Sequence, residues 1–159
     1  MPNWCENHGS ITHKDPKKIK ELAKAMNEEK FCHHVIPLPK SKEVKGWYDW
    51  CIEHWSTKWD IYNAEVEVED ENTLIFWFET AWSPPENVFN ELISQGYEVK
   101  LAYYETGMDY CGVLTNENHE YTEDVLSHTK NKTLPKWATD EFDFEGIYGE
   151  DFLNEQEAV

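Results

Sequence analysis

The chain has 159 residues, enough for one domain with a real hydrophobic core and a small appendage. Aromatic residues make up 14% of it, and no apolar run approaches the roughly 18 residues that a membrane-spanning helix needs. All 14 basic residues are lysine against 32 acids, a formal net charge of −18. With no arginine, the usual bidentate reader of phosphate and guanine is missing, which argues against direct nucleic-acid binding.

The N-terminus, Met1 to Glu6, lacks a basic region followed by an apolar stretch and is not read as a signal peptide. Residues 5–12 suit a first strand. Asp15-Pro16 is a helix start, with Asp as N-cap and Pro in the first turn. Ile19, Leu22, Ala23 and Met26 follow at helical spacing, so the pattern predicts an amphipathic helix from Asp15 to Asn27. The stretch Phe31 to Pro39 contains Val35-Ile36-Pro37-Leu38-Pro39, an extended segment ended by prolines. A lysine-bearing loop, Lys40 to Lys45, leads to Gly46. Trp47, Trp50, Cys51 and His54 share a helical face, which predicts a short helix over residues 47–54.

From Ile61 the period changes. Ala64, Val66 and Val68 alternate with Glu65, Glu67 and Glu69, the mark of a strand with one wet face. Asp70-Glu71-Asn72 is a turn, and residues 74–78 form a strand apolar on both sides. Ser83-Pro84-Pro85-Glu86 carries the Ser-x-x-Glu spacing of a capping box. Val88, Phe89, Leu92 and Ile93 then face one way, and Gly96 ends that helix. Residues 98–104 and 110–115 alternate as two more strands. After Asn116 the pattern fades: residues 117–159 hold 12 acids, 3 lysines and scattered aromatics, and the chain from Asn154 reads as frayed.

Strand, helix, insertion, strand, strand, helix, strand is the split βαβ order of ferredoxin-like α+β folds: an antiparallel sheet with two helices on one face. The expected organisation is a ferredoxin-like domain over residues 1–116, with a Trp-rich insertion at 31–60, and an acidic C-terminal extension over 117–159.

Several rare-residue segments carry a resemblance. Met1-Pro2-Asn3-Trp4-Cys5-Glu6-Asn7, Ile36-Pro37-Leu38-Pro39, Trp47-Tyr48-Asp49-Trp50-Cys51-Ile52-Glu53, Thr57-Lys58-Trp59-Asp60 and Thr80-Ala81-Trp82-Ser83-Pro84-Pro85 resemble the YubB ferredoxin-like domain family. The likeness runs from Met1 to about Thr115. Ser56 stands where the family pattern has glycine, and His54 where it has asparagine. The resemblance implies the fold above and carriage by phages, prophages and conjugative plasmids. It implies no reaction, and fold-level likeness would not supply one.

Four tryptophans within thirteen residues, at 47, 50, 55 and 59, imply either a specified packing node or a gripping surface. As a node, Trp4, Trp50, Trp55, Trp59 and Trp82 would wedge the inserted helix onto the sheet, with Asp49, Asp60 or Thr80 accepting indole hydrogen bonds. As a pocket for a planar ligand such as a nucleotide, Trp50, Trp55, Trp59 and Trp82 would line it beside Asp49, Asp60 and Glu105. No glycine-rich phosphate loop accompanies them, and no cofactor is expected. The Cys-x-x-His spacings of Cys5/His8 and Cys51/His54, and Cys32-His33-His34, could in principle hold zinc, but neither pair lies on a knuckle and no metal is assigned. Asp49, Asp60, Glu79 and Glu105 border the motifs as carboxylates for metal-dependent hydrolysis, and Cys51 is formally a nucleophile. Neither arrangement carries a diagnostic motif, so no catalytic residue is assigned and a non-enzymatic role is preferred. The four cysteines read as free, buried thiols of an intracellular protein.

Charge points more firmly. Residues 1–58 hold 10 lysines against 8 acids, and residues 59–159 hold 4 against 24, nets of +2 and −20. On one strand Glu65, Glu67 and Glu69 recur about 6.7 Å apart, close to a phosphate spacing. The expectation is a cytoplasmic phage protein of host defence evasion. It would bind and inhibit a host protein with a basic groove, such as a nuclease or defence complex, by DNA-mimic-like electrostatics. Glu65, Glu67, Glu69, Asp70, Glu71, Asp140, Glu141, Asp143, Glu145, Glu150 and Asp151 are the contact candidates. The alternative is a nucleotide-binding or metal-dependent hydrolytic counter-defence protein using the Trp-rich pocket. Oligomeric state is left open.

Overall fold

A computed structural model describes residues 2–40 and 46–149. Its element order is β1 (Trp4–Thr12), α1 (Pro16–Asn27), α2 (Phe31–Val35), α3 (Trp47–Trp55), β2 (Tyr62–Asp70), β3 (Thr73–Ala81), α4 (Glu86–Ser94), β4 (Glu98–Glu105), β5 (Tyr110–Thr115), β6 (His119–Thr122), α5 (Val125–Asn131), α6 (Lys136–Glu141) and α7 (Phe144–Tyr148). The strands form one sheet in the order β2-β3-β1-β4-β5-β6, with every neighbouring pair antiparallel. The first four in that order are the split βαβ sheet that the pattern predicts. β5 and β6 extend it beyond β4.

Register assigns each side chain to a face, because neighbours along a strand point to opposite sides. Cys5, Asn7, Gly9 and Ile11 share one face with Leu74, Phe76 and Phe78 and with Val99, Leu101 and Tyr103. On this face lies the main core. Ile19, Leu22 and Met26 of α1, Phe31 of α2 and Phe89 of α4 are buried there, and the Phe89 ring sits 5.5 Å from Phe76 and 5.7 Å from Phe31. Truncating such a ring to alanine removes about 3–5 kcal/mol. Gly9 is fixed by a close approach: a Cβ there would lie 1.8 Å from the Lys100 carbonyl oxygen of β4.

Local signals explain most elements. Asp15 caps α1 by accepting from Lys17 N at 3.0 Å. The turn after β2 is tied down by Asn72, whose Nδ2 donates to the His13 and Lys14 carbonyls. One helix is added and two expectations are corrected. Residues 31–35, just before the extended run from Ile36, are helical, because Asp60 accepts from Cys32 N and His33 N at 2.9 and 3.0 Å and so caps α2 from 28 residues away. Ser83 does not cap α4: the N-cap is Pro85, and the Ser83 hydroxyl donates to the Ser56 carbonyl. In α3 the buried side is Cys51 and Trp55, while Trp47 is exposed.

Beyond β6, the helices α5 to α7 pack onto the second face of the sheet. Val125, Ala138 and Phe144 bury against Tyr104 and Cys111, which point away from the main core. This layer overlies β4, β5 and the His8 position of β1. Among the described residues no helix covers β2 and β3 on that side, and only Trp59 reaches its Tyr62 end, so the β2–β3 part of the second face is bare.

Candidate functional site

The tryptophan passage forms a hydrogen-bonded node. Trp55 Nε1 donates to the Ile36 carbonyl at 2.9 Å, and the Thr57 hydroxyl donates to the Ala81 carbonyl at 3.0 Å. Asn87 Nδ2 donates to the Glu53 carbonyl, Trp82 N to the Asn3 carbonyl, and Asn7 Nδ2 to Thr80 Oγ1. Expected indole acceptors are therefore replaced by a backbone carbonyl, while Asp60 and Thr80 accept from other donors. The planar-ligand candidates do not share one pocket wall. Trp50 stacks on His54 and meets Trp55 edge-on, on the main-core side. Trp59 meets Trp4, which stacks on Tyr62 at the end of the bare face. Asp49 sits in the first turn of α3, and Trp82 stands exposed with φ +70°. Glu105 is fully buried, and its two oxygens accept from Gly107 N and Met108 N at 2.6 and 2.8 Å. Asp60 and Glu105 thus spend their oxygens on backbone N–H groups.

The cysteine and histidine spacings also separate in space. Cys5 and His8 lie on opposite faces of β1. His54 Nδ1 donates to the Trp50 carbonyl, as its neighbour on the helix, and not to Cys51. Burial, with Asp60 adding to it, pushes the Cys51 thiol up, and burial does the same for Cys5, Cys32 and Cys111. A protonated thiol is a poor nucleophile and a poor ligand. Among the described residues no three His, Cys, Asp or Glu side chains gather as a metal site.

The acids do gather. Across the bare face, successive rows read Glu6, Glu79, Tyr62; then His8, Trp77, Glu65; then Ser10, Ile75, Glu67. Glu65 and Glu67 share this side and are exposed, as their alternation with Val66 predicts. The register shift between Val68 and Asp70 takes Glu69 out of the ladder; Asp70 pairs with Thr73 and accepts from Asn72 N at the turn. Glu71 is exposed in that turn. Sequence pattern does not single out Glu6, and it marks Glu79 only as a carboxylate bordering a motif, not as part of an acidic face. Only the register of three strands brings them beside Glu65. Partial burial, and then the Glu79 charge, raises the Glu6 carboxyl above its ordinary value.

The C-terminal acids lie in the layer that flanks this strip. Glu141 is turned inward: it pairs with Lys100 and meets His8 Nε2 at 3.5 Å. That contact has ion-pair geometry, yet burial holds His8 below its ordinary value in spite of Glu141. At neutral pH it is a neutral imidazole N–H donating to a carboxylate. Asp140 pairs with Lys136 at 2.9 Å, and Asp143 caps α7 by accepting from Gly146 N. Glu145 is exposed. Glu150 and Asp151 lie outside the described residues.

A family model described as the ferredoxin-like domain in Api92-like protein matches residues 54–149. The chain belongs to that family. The match takes in the end of α3, all of β2 to β6 and the helices α4 to α7, so the C-terminal layer falls within the stretch matched by the Api92-like domain. Among solved structures, the crystal structure of protein api92 from Yersinia pseudotuberculosis is similar, with a TM-score of 0.50 and 9% identity, over 77% of this chain and 98% of that one. At that identity the likeness is one of fold. No curated protein gives a match. The resemblance is thus borne out at the level of an Api92-type ferredoxin-like domain and not of YubB in particular. No described helix is long and apolar enough to cross a membrane.

Proposed function

We propose that this protein binds and inhibits a host protein through the acidic half of its sheet's second face, offering carboxylates to a basic groove that otherwise holds nucleic acid. One observation carries the reading: Glu6 of β1, Glu65 and Glu67 of β2 and Glu79 of β3 come from separate stretches of chain and converge on one uncovered surface. Like charges so assembled repel one another, and a basic partner relieves that repulsion. The surface needs no cofactor and no catalytic group. We further propose that the chain is of the YubB type, carried by a phage or related mobile element and acting in the host cytoplasm. In support, the segments behind that resemblance meet in the single node that joins Asn3 to Trp82, Asn7 to Thr80 and Thr57 to Ala81.

The test is capture from host lysate by the tagged protein at low and high salt. A basic nuclease or nucleoprotein held at low salt, released at high salt and lost on Glu65→Lys/Glu67→Lys is the expected result. A partner indifferent to both salt and charge reversal would overturn the reading.

A further inference from the structure

Trp77 sits at the centre of the bare face, and the packing node does not use it. It is half-buried, opposite Glu65 on β2 and His8 on β1. Glu79 lies two residues along the same strand, about 6.7 Å away, and Glu6 is paired with Glu79. Ile75 continues the same strip and is 39% exposed. His8, Glu65, Glu67, Ile75 and Trp77 line an open concavity of about 460 Å³ there. One wall is the row of β2 carboxylates. On the opposite side the Phe142 ring meets His8 edge-on at 4.9 Å, so the C-terminal layer closes the strip.

We propose that this strip is a seat for an arginine side chain of the partner protein, its guanidinium lying on the Trp77 indole and hydrogen-bonded to Glu65 or Glu79. The proposal rests on the acidic-face reading above and specifies what that face grips. An indole face attracts a cation, and a planar guanidinium both stacks on it and binds a carboxylate through paired N–H groups. A lysine ammonium can do only the electrostatic part. Charge complementarity selects the occupant. The three carboxylates around the ring have no lysine beside them in their rows; Lys100, on β4, is already paired with Glu141, and Lys58 lies over the Tyr48 and Trp59 rings. His8, the remaining titratable group in the Trp77 row, is neutral at pH 7 and does not repel a cation. The seat also gives the tryptophan a role that nucleic-acid mimicry by charge alone would not require.

The experiment is titration of the full chain with a synthetic arginine–glycine repeat peptide and with its lysine–glycine counterpart, by calorimetry at low salt. The arginine peptide should bind about threefold more tightly or better. Trp77→Leu should abolish that preference and Trp77→Phe should keep most of it. Glu65→Gln with Glu79→Gln should lower affinity for the arginine peptide by about tenfold, whereas Glu120→Gln with Glu123→Gln, at the far edge of the sheet, should change it little. If both peptides bind equally, with salt dependence and no response to Trp77→Leu, the arginine seat is overturned while the acidic-face reading stands. If neither binds at low salt, both fall. Sedimentation in the same buffer covers another occupant: a dimer that Trp77→Leu dissociates would assign the strip to a second copy of the chain and overturn the proposal.

Discussion

Asp109 and Tyr148 are 39 residues apart, and the Tyr148 hydroxyl donates to Asp109 Oδ1 at 2.9 Å. The Tyr104 hydroxyl reaches the same oxygen at 3.1 Å, while Asp109 Oδ2 accepts from Leu126 N at 2.9 Å at the start of α5. One carboxylate in the β4–β5 turn therefore ties the sheet to both ends of the C-terminal layer. Burial, together with Asp109, pushes the Tyr148 hydroxyl up to about 12 and that of Tyr104 higher still, so both remain donors at any physiological pH.

Asp109→Ala removes the charged acceptor that Tyr104, Tyr148 and the Leu126 amide share, and hydrogen bonds to a charged group contribute about 1.5–3 kcal/mol. The loss should concentrate in the C-terminal layer. Hydrogen exchange should show amides of residues 125–148 exchanging faster while those of β1 and β3 hold. Uniform acceleration across the sheet would mean that the layer and sheet unfold together and that Asp109 is no local pin.

Ser56 lies at φ +66° as the C-cap of α3, a left-handed conformation that glycine adopts without penalty. The family pattern resembled by this sequence has glycine there, and the backbone explains why. Against that gain, Ser56 Oγ accepts from Asn87 N at 3.2 Å, a contact glycine would lose. The two effects are each about 1 kcal/mol and oppose one another, so Ser56→Gly should leave stability within about 0.5 kcal/mol of the natural chain, whereas Ser56→Ala, which loses the contact and keeps the strain, should destabilise by about 1 kcal/mol. Chemical denaturation of the two variants in parallel reads the difference.

What the sequence revealed follows from the range of the interactions involved. The α1 start at Asp15-Pro16 and the alternation of Glu65, Val66 and Glu67 are local patterns, and both were legible. The short α2 was not, because its cap, Asp60, is remote in the chain. Nor were α5 to α7: helices of five to seven residues carry little periodic signal, and these are held by Tyr104 and Asp109 on the sheet. The acidic face was half legible. Strand parity gave Glu65 and Glu67, but Glu6, Glu79 and Trp77 join them only through the register of β1 and β2 on β3.

Glu6 supplies a prediction with a defined sign. Its carboxyl is raised above its ordinary 4.5 by burial and then by Glu79, so the folded chain favours the protonated form more than the unfolded chain does. Relative stability is therefore greatest below the ordinary value and is lost as pH rises through the folded one. Glu6→Gln should raise Tm at pH 7 and have little effect near pH 4, about where the natural carboxyl is itself protonated. A variant that destabilises at pH 7 would show that Glu6 is satisfied in place, and the repulsion argument for this face would fail with it.

His8 runs the other way. Burial holds it below its ordinary 6.5, with Lys100 acting in the same sense and Glu141 opposing. The unfolded chain then takes up a proton before the folded one, so this contribution to stability is present above pH 6.5 and is lost as pH falls through the lower, folded value. His8→Gln keeps an N–H donor for Glu141 and removes the titration. Between pH 7.5 and about pH 5 the natural chain should therefore lose more Tm than the variant. Parallel curves would mean that the Glu141 carboxylate offsets the burial of the ring in full, so that His8 takes up its proton at the same pH in the folded and unfolded chain.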